Sequence, residues 1–138
     1  MKKTALFFTL TALISFMGCE TGCMTAQRKK PETAMERLAA RSPDQIEGFL
    51  DKRLSATLDL TSDQLPRVYA IDLDYAMKIQ AAAASHEDTA TRTRTMDKAN
   101  DAYSTDLQEV LSADQYTRFL AMKDELRADI NNGARSVE

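Results

Sequence analysis

The sequence predicts an all-α protein in which four helices form an elongated hairpin. Three short segments share the pattern of Ser or Thr, any residue, Asp and Gln: Ser42–Gln45, Thr61–Gln64 and Ser112–Gln115. This pattern is typical of a helix start, because the hydroxyl and the glutamine amide bind backbone groups that have no partner inside the helix. Apolar residues recur at helical spacing after each segment, and no stretch alternates apolar and polar residues as a strand would.

The first two helices follow from the first two of these segments. Pro43 takes the first helical position after Ser42, where its missing N–H costs nothing. Pro66 lies a few residues after Thr61, where a backbone donor is needed, so we expect a kink or a 3₁₀ turn there. The apolar stripes are Ile46, Phe49, Leu50, Leu54 and Leu58 in the first helix, and Leu65, Val68, Ile71 or Asp72, Tyr75 and Ile79 in the second.

A turn near residues 84–91 separates the second helix from the third. Residues 80–95 contain neither Gly nor Pro, so a single bent helix is the alternative, although four threonines in this stretch lower helix propensity. The segment Asn131–Gly133 is typical of a helix end and closes the last helix. The stripes are Met96, Ala99, Tyr103, Leu107, Val110 and Leu111 in the third helix, and Phe119, Leu120, Met122, Leu126 and Ile130 in the fourth.

The first 18 residues have the pattern of a secretory signal peptide. Lys2 and Lys3 precede an uncharged apolar run from Thr4 to Met17. This run is too short for a membrane-spanning helix, which needs about 20 residues. Gly18 and Cys19 then resemble the end of a bacterial lipobox, in which the Cys thiol is lipidated. We therefore expect export to the periplasm and a lipid anchor at Cys19. The alternatives are a signal peptide cut elsewhere and an uncleaved anchor.

The rest of the chain consists of a segment with a basic cluster followed by an acidic domain. Residues 19–42 contain a basic cluster and are predicted to be a flexible tether, residues 43–132 the helical domain, and residues 133–138 a tail. Residues 44–131 contain ten basic and seventeen acidic side chains, a net charge of −7. This balance speaks against nucleic acid as a partner, and against charge-driven capture of acidic proteins.

Composition also excludes common kinds of catalytic site. One His and two Cys cannot form a tetrahedral zinc site of the usual kind, and no glycine-rich phosphate loop or hydrolase motif is present. The acidic pair Asp72 and Asp74 fits a charged helix face without a catalytic role. The cluster His86–Asp88 in the predicted turn is a weak candidate for a metal site. We expect a protein that is not an enzyme and uses no cofactor.

Two of the helix starts carry a resemblance to a known family. Preceded by leucine, they resemble the paired LTxxQ motifs of the Spy/CpxP family of exported bacterial proteins, over about residues 44–130, with Ser in place of Thr in the second copy. The resemblance implies a thin four-helix hairpin that forms a cradle-like antiparallel homodimer. It also implies roles in envelope stress, in ATP-independent chaperoning and, for some relatives, in metal-linked sensing. The motif residues are Leu60, Thr61, Gln64, Leu111, Ser112 and Gln115.

The motif also has a structural interpretation, in which it fixes the angle at which the chain starts a helix. In this interpretation Leu60 packs on Leu65, and Leu111 packs on Tyr116. Apolar side chains on a concave face are then the candidates for contact with unfolded proteins, the alternative being ordinary core or dimer contacts. These candidates are Phe49, Leu54, Leu58, Met77, Met96, Phe119 and Met122.

The predicted function is that of a lipid-anchored envelope-stress protein that binds unfolded or partner proteins. It would act as an ATP-independent chaperone or as a modulator of stress signalling, through weak apolar contacts. Two alternatives remain open. One is a metal-responsive periplasmic sensor of the same family, and the other is an anchored interaction protein with one specific partner.

Overall fold

A computed structural model describes residues 33–132, and this part of the chain consists of five α-helices without a strand. The all-α prediction is confirmed, but the number of helices is five and not four. No helix in the described part is both long enough and apolar enough to cross a membrane. The helices are α1 (Ala34–Ala39), α2 (Pro43–Leu58), α3 (Leu65–Ala84), α4 (Thr89–Val110) and α5 (Ala113–Asn132).

Helix α1 corrects the predicted tether, because it lies within residues 19–42. Its N-cap is Thr33, whose hydroxyl accepts from the Glu36 N–H at 3.2 Å while the Glu36 carboxylate accepts from the Thr33 N–H at 2.7 Å. Leu38 of this helix is 1% exposed and belongs to the core. The folded part therefore begins by residue 33, because a short capped helix with one buried leucine packs on the domain. The signal peptide, Cys19 and the tail lie outside the described residues.

Helix α2 begins at a capping box and ends at a residue with a left-handed backbone. The hydroxyl of Ser42 accepts from the Gln45 N–H at 3.3 Å, and the Gln45 side chain accepts from the Ser42 N–H at 3.1 Å, as the pattern predicts. The helix ends at Asp59, whose backbone is left-handed with a φ of 50°. A short polar side chain tolerates this conformation better than a branched one. The chain thus reverses direction without a glycine.

The α3–α4 hairpin has the irregular start and the turn that the sequence predicts. The Gln64 N–H donates to the Thr61 carbonyl at 3.0 Å, an i to i−3 bond, and regular helix begins only at Leu65, which places Pro66 in the first turn. Residues 85–88 form the turn, so the single bent helix is excluded. Asp88 is the cap of α4, because its carboxylate accepts from the Thr91 N–H at 3.0 Å.

Short connections make neighbouring helices antiparallel, and α2 to α5 form an up-and-down bundle. α3 packs closely on α2 and α4, α2 also packs on α5, and α4 packs only lightly on α5. α1 lies across α3 and α5 at the end of the bundle that contains the 85–88 turn. The 20 residues of α3 extend over about 30 Å, which gives the bundle its elongated form.

Candidate functional site

The two motif copies form the helix starts that the sequence predicts. In the first copy, the Thr61 N–H donates to Gln64 Oε1 at 3.0 Å, and the Gln64 N–H donates to Thr61 Oγ1 at 3.3 Å. In the second copy, the Ser112 N–H donates to Gln115 Oε1 at 2.9 Å, and the Gln115 N–H donates to Ser112 Oγ at 3.3 Å. Both capping boxes are therefore closed in both directions.

The structure also pairs the two motif glutamines, which no local pattern predicts. Gln64 Nε2 donates to Gln115 Oε1 at 2.7 Å, and Gln115 Nε2 donates to Gln64 Oε1 at 3.0 Å. The second N–H of Gln64 donates to the Val110 carbonyl at 3.0 Å, and that of Gln115 donates to the Leu58 carbonyl at 3.0 Å. Each amide oxygen thus accepts twice, and every amide N–H has an acceptor, with the Asp59 carbonyl as a further acceptor 3.4 Å from Gln115 Nε2. Gln115 is buried and Gln64 half-buried, and the polar groups of both amides are satisfied.

The glutamine pair joins two corners of the bundle that are about 50 residues apart in the chain. Leu58 is the last residue of α2 and Val110 the last of α4, so the pair accounts for carbonyls that those helix ends leave without internal partners. On the exposed side of this pair, Arg118 of α5 also binds the end of α2. Its guanidinium donates to the Thr57 carbonyl and to Asp59 Oδ2, each at 2.9 Å, and pairs with Asp114 at 2.9 Å. The motif is therefore a connector between helices as well as a cap.

The leucines of the two motifs differ in their surroundings. Leu111 is 8% exposed and lies in the core, and Tyr116 packs against that core. Leu60 is half-buried and packs on the core, whereas Leu65, its predicted packing partner, is 40% exposed. The later start of α3 explains this difference, because Leu65 is the first residue of the helix and not its fourth.

A buried carboxylate lies halfway along the bundle. Asp72 of α3 is fully buried, contrary to the prediction that it belongs to a charged face. Its Oδ1 accepts from the Tyr103 hydroxyl at 2.7 Å, and its Oδ2 has no hydrogen-bond partner among the described residues. Burial raises the pKa of Asp72 to about 7, against the lowering effect of the Tyr103 hydroxyl, and the charges of Asp51 and Glu47 raise it further.

Further polar groups surround this carboxylate. The Tyr75 hydroxyl donates to Asn100 Oδ1 at 2.6 Å, and the Tyr75 ring stacks on the Tyr103 ring with centroids 4.3 Å apart. Burial raises the pKa of Tyr75 to about 12. Glu47 of α2 is also buried, and its pKa is raised by burial and then by Asp51 and Asp44. The middle of the bundle thus holds a polar layer in which burial raises the pKa of both carboxyl groups.

The predicted contact residues for unfolded proteins lie mostly in the core. Five of the seven have no usable surface: Leu54, Leu58 and Phe119 are 0% exposed, Met96 is 8% and Met122 is 9% exposed. Phe49 is half-buried against the core, and Met77 is 55% exposed. The prediction is wrong for the five buried residues, because their helical stripes are the stripes that hold α2 to α5 together. Of these candidates, Met77 alone has a largely exposed side chain.

The exposed apolar surface belongs mainly to α3. Leu65 (40% exposed), Tyr69 (48%) and Met77 (55%) follow one another at multiples of four residues, and half-buried Leu73 occupies the remaining position. We call these four residues the α3 row. The fourth large exposed apolar residue of the described part, Leu120, lies on α5.

An open groove of about 550 Å³ continues beyond Met77 between α3 and α4. Its floor is formed by small side chains and its rim carries two lysines and one glutamate. The lining residues are Lys78, Ala81, Ala82, Ser85, Glu87, Thr95, Lys98, Ala99 and Ala102. Because Ala81 follows Met77 by four residues, the α3 row leads directly into this groove.

The turn residues His86–Asp88 do not come together as a metal site. Within residues 33–132, no group of three or more His, Cys, Asp and Glu side chains is arranged to hold a metal ion. Asp88 is engaged as the cap of α4, and the hydrogen bonds from Thr91 lower its pKa.

The fold and its paired motifs define a small helical-bundle protein built around two linked capping boxes. The chain belongs to the family described as a domain of unknown function, DUF4890, whose model matches residues 25–119. The matched region includes α1, both motif copies and the first part of α5. No curated protein and no solved structure matches the chain significantly.

A double-mutant cycle tests the glutamine pair. We expect Gln64→Ala and Gln115→Ala each to lower the free energy of unfolding by about 1 to 3 kcal/mol, because each leaves buried or half-buried donors and acceptors without partners. The double variant should lose less than the sum, with a coupling of about 1 kcal/mol or more. Gln45→Ala is the matched control, since Gln45 closes an exposed capping box without a distant partner, and it should cost about 0.5 to 1 kcal/mol, as for one exposed hydrogen bond. Urea unfolding measures all four, and additive effects would contradict the pairing.

The raised pKa of Asp72 predicts a dependence of stability on pH. Between about pH 4 and 7 the folded chain keeps a proton that the unfolded chain has released, so the free energy of unfolding should fall as pH rises through this window and level off above it. The full decrease is about 4 kcal/mol, because burial raises the pKa from 3.8 to about 7. Thermal and urea unfolding from pH 3.5 to 8 measure it.

Asp72→Asn should flatten this dependence, because the amide cannot ionise. Asp74→Asn, two residues away on the exposed side of the same helix, should leave the slope unchanged. A wild-type slope retained in Asp72→Asn would show that another group is responsible.

Proposed function

We propose that this protein is exported and anchored through a lipidated Cys19, and that it binds unfolded or partner proteins of the envelope as a homodimer, without catalysis. The observation that carries the proposal is the α3 row with its adjoining groove. The resemblance of the two motifs to those of the Spy/CpxP family supports the envelope-stress context. Membership of DUF4890 identifies the domain and adds no activity.

The α3 row is a surface suited to apolar segments of other proteins. Isolated exposed hydrophobic residues are common on soluble proteins, and a contiguous set is more often a contact surface. Here three exposed residues and one half-buried residue share one helix, from Leu65 to Met77, over about 18 Å. Tyr69 and Met77 suit adaptable contacts, because tyrosine offers a rigid amphipathic ring and methionine a flexible, polarizable chain.

The groove extends this surface and gives it a polar border. Ala81 and Ala102 provide an apolar floor without side-chain bulk, so a bound segment can approach the helices closely. Lys78 and Lys98 lie at the rim and can pair with acidic groups or backbone carbonyls of a bound chain. An apolar floor with a few charged groups at the rim is the usual composition of a protein-binding surface.

The acidic charge of the domain limits the mode of binding. The described residues contain twelve basic and eighteen acidic side chains, a net charge of −6. This charge steers basic partners toward the domain and slows the approach of acidic ones. Binding through the α3 row therefore depends on apolar contact, and is expected to be weak and to tolerate different sequences.

An aggregation assay with two unrelated unfolded proteins, such as reduced α-lactalbumin and heat-unfolded citrate synthase, tests this function. The wild-type chain should suppress aggregation of both. The double variant Tyr69→Asp/Met77→Asp should bind them at least about tenfold more weakly, because burial of each apolar side chain contributes about 1.5 to 3 kcal/mol. Leu120→Asp is the matched control, since Leu120 and Tyr69 are equally exposed but lie on different helices.

Protection of neither client at stoichiometric excess would refute the chaperone role and favour a single specific partner. Equal loss of protection in the Leu120→Asp control would show that the α3 row is not the binding surface.

The anchor has its own test. Mass spectrometry of the protein from a membrane fraction should find Cys19 as the first residue, carrying a diacylglycerol and an amide-linked acyl chain. Cys19→Ser should abolish the modification and release the chain from the membrane fraction. A mature protein that begins at another, unmodified residue would contradict the lipid anchor.

A further inference from the structure

Helix α2 presents an acidic stripe beside Asp72 of α3. Asp44, Glu47 and Asp51 follow one another at spacings of three and four residues, so they share one face of the helix. Within residues 33–132, none of these three side chains forms an ion pair with a basic residue. After the larger effect of burial, the charges of Asp51 and Glu47 raise the pKa of Asp72 further. We call the contact between α2 and α3 around Asp72 the α2–α3 seam.

Among the described residues, the other helices give Asp72 one hydrogen bond and no ion pair. From α4, the Tyr103 hydroxyl donates to Oδ1, and burial followed by the Asp72 charge raises the pKa of Tyr103 well above its usual range, so this hydroxyl stays protonated. Burial also raises the pKa of Tyr75, which the charge of Arg127 of α5 lowers. α1 packs on α3 further along, at Gln80. Because Oδ2 of Asp72 has no partner in the described part of the chain, ionisation places an incompletely solvated charge in the seam.

A glycine weakens helix α2 next to the seam. Gly48 follows Glu47 directly and is the only glycine within residues 33–132. A Cβ atom at this position would meet no neighbouring side chain within 4 Å, so packing does not require glycine here. A glycine inside a helix makes the helical conformation about two- to fivefold less favourable than alanine does. α2 is therefore easier to distort beside Glu47 than it would be with alanine at this position.

We infer that the α2–α3 seam is a pH-sensitive joint, which a proton on Asp72 keeps closed and which ionisation of Asp72 opens locally. Opening admits water to the carboxylate and relieves its repulsion by Glu47 and Asp51. It also exposes the apolar stripe of α2, in which Leu50 and Leu54 are 0% exposed in the closed bundle. Three features carry the inference: a buried carboxyl group with an unpartnered oxygen, acidic side chains opposite it, and a glycine in the helix that holds them.

The direction of the pH dependence follows from where Asp72 ionises more easily. In the closed seam its pKa is about 7, whereas in contact with water it returns to its ordinary value of 3.8. Opening therefore releases a proton between these pH values, and the opening equilibrium increases by up to about tenfold per pH unit. The seam is closed most firmly at acidic pH, and the change levels off above about pH 7.

As a regulator of protein binding, the joint rests on the function proposed above, because the exposed stripe of α2 would add to the apolar surface of the α3 row. The joint itself is tested without a client protein. A pH-dependent opening of α2 without protection of unfolded proteins would retain the joint and refute the chaperone role. Protection of unfolded proteins without such an opening would do the reverse.

Native-state amide hydrogen exchange on the full chain, at low urea concentrations and from pH 5 to 7, tests the joint. The reporters are the amides of Leu50 and Leu54 in α2, and the reference amides are those of Phe119 and Met122 in α5. After correction for intrinsic exchange rates, the α2 amides should be at least about tenfold less protected than the α5 amides and depend less on urea, as expected for a local opening. Their protection should fall at least about tenfold from pH 5 to 7. Equal protection and equal urea dependence in the two helices would overturn the inference.

Three variants identify the groups responsible. Asp72→Asn should remove the pH dependence of α2 protection, whereas Asp74→Asn, on the exposed side of α3, should keep it. Gly48→Ala should raise α2 protection about two- to fivefold at every pH and leave the pH dependence in place. A pH dependence that persists in Asp72→Asn, or unchanged α2 protection in Gly48→Ala, would overturn the joint. If Asp72→Asn does not fold, the pH dependence of the wild-type chain and the effect of Gly48→Ala decide.

Discussion

The reciprocal hydrogen bonds between Gln64 and Gln115 are the constraint on which the bundle depends. Each side-chain amide closes the capping box of its own helix and pairs with the other amide. All N–H groups and both oxygens of the two amides have hydrogen-bond partners. Because Gln64 also binds the end of α4 and Gln115 the end of α2, four helices meet at one set of bonds. A network of this kind stabilises only when it is complete, since any missing member leaves buried polar groups without partners. It therefore fixes a single arrangement of α2 to α5.

The polar layer around Asp72, unlike the glutamine pair, is incompletely hydrogen-bonded. One carboxylate oxygen is paired with Tyr103 and the other has no partner among the described residues, so the ionised form is disfavoured in the interior. The two networks lie at different heights along the bundle. The glutamine pair fixes the end where α2 and α4 finish, and the layer around Asp72 makes the stability of the packing between α2, α3 and α4 depend on pH. Glu47 contributes a second carboxyl with a raised pKa at the same level.

Local rules predicted the helix starts, because their partners lie three residues apart. The boxes at Ser42, Thr61 and Ser112, the irregular start near Pro66 and the turn at residues 85–88 all follow from neighbouring residues. The glutamine pair joins residues 51 positions apart, and the only sequence signal for it is the repetition of the same motif. Helical spacing allows either Ile71 or Asp72 to face the core, and the acidic pair with Asp74 favours a charged face for Asp72. The structure buries Asp72 beside Tyr103 of α4 and leaves Ile71 half-buried against the same core.

Exposed apolar residues are harder to predict than helix starts, since a leucine stripe has the same spacing whether it faces a core or a partner. Leu54, Leu58 and Phe119 are buried in the core of the bundle. A domain of this size has few further large apolar residues for its surface. Among the described residues, those that remain exposed lie mainly along α3, from Leu65 to Met77, with Leu120 on α5.

The two ends of the bundle are held by different interactions. The α3 row begins at the end that the glutamine pair fixes, and α3 packs against α2 and α4 along its length, so the row is presented rigidly. At the opposite end α4 packs only lightly on α5, and the six-residue helix α1 completes the core through Leu38. Hydrogen bonds therefore fix one end of the bundle, whereas mainly apolar packing closes the other.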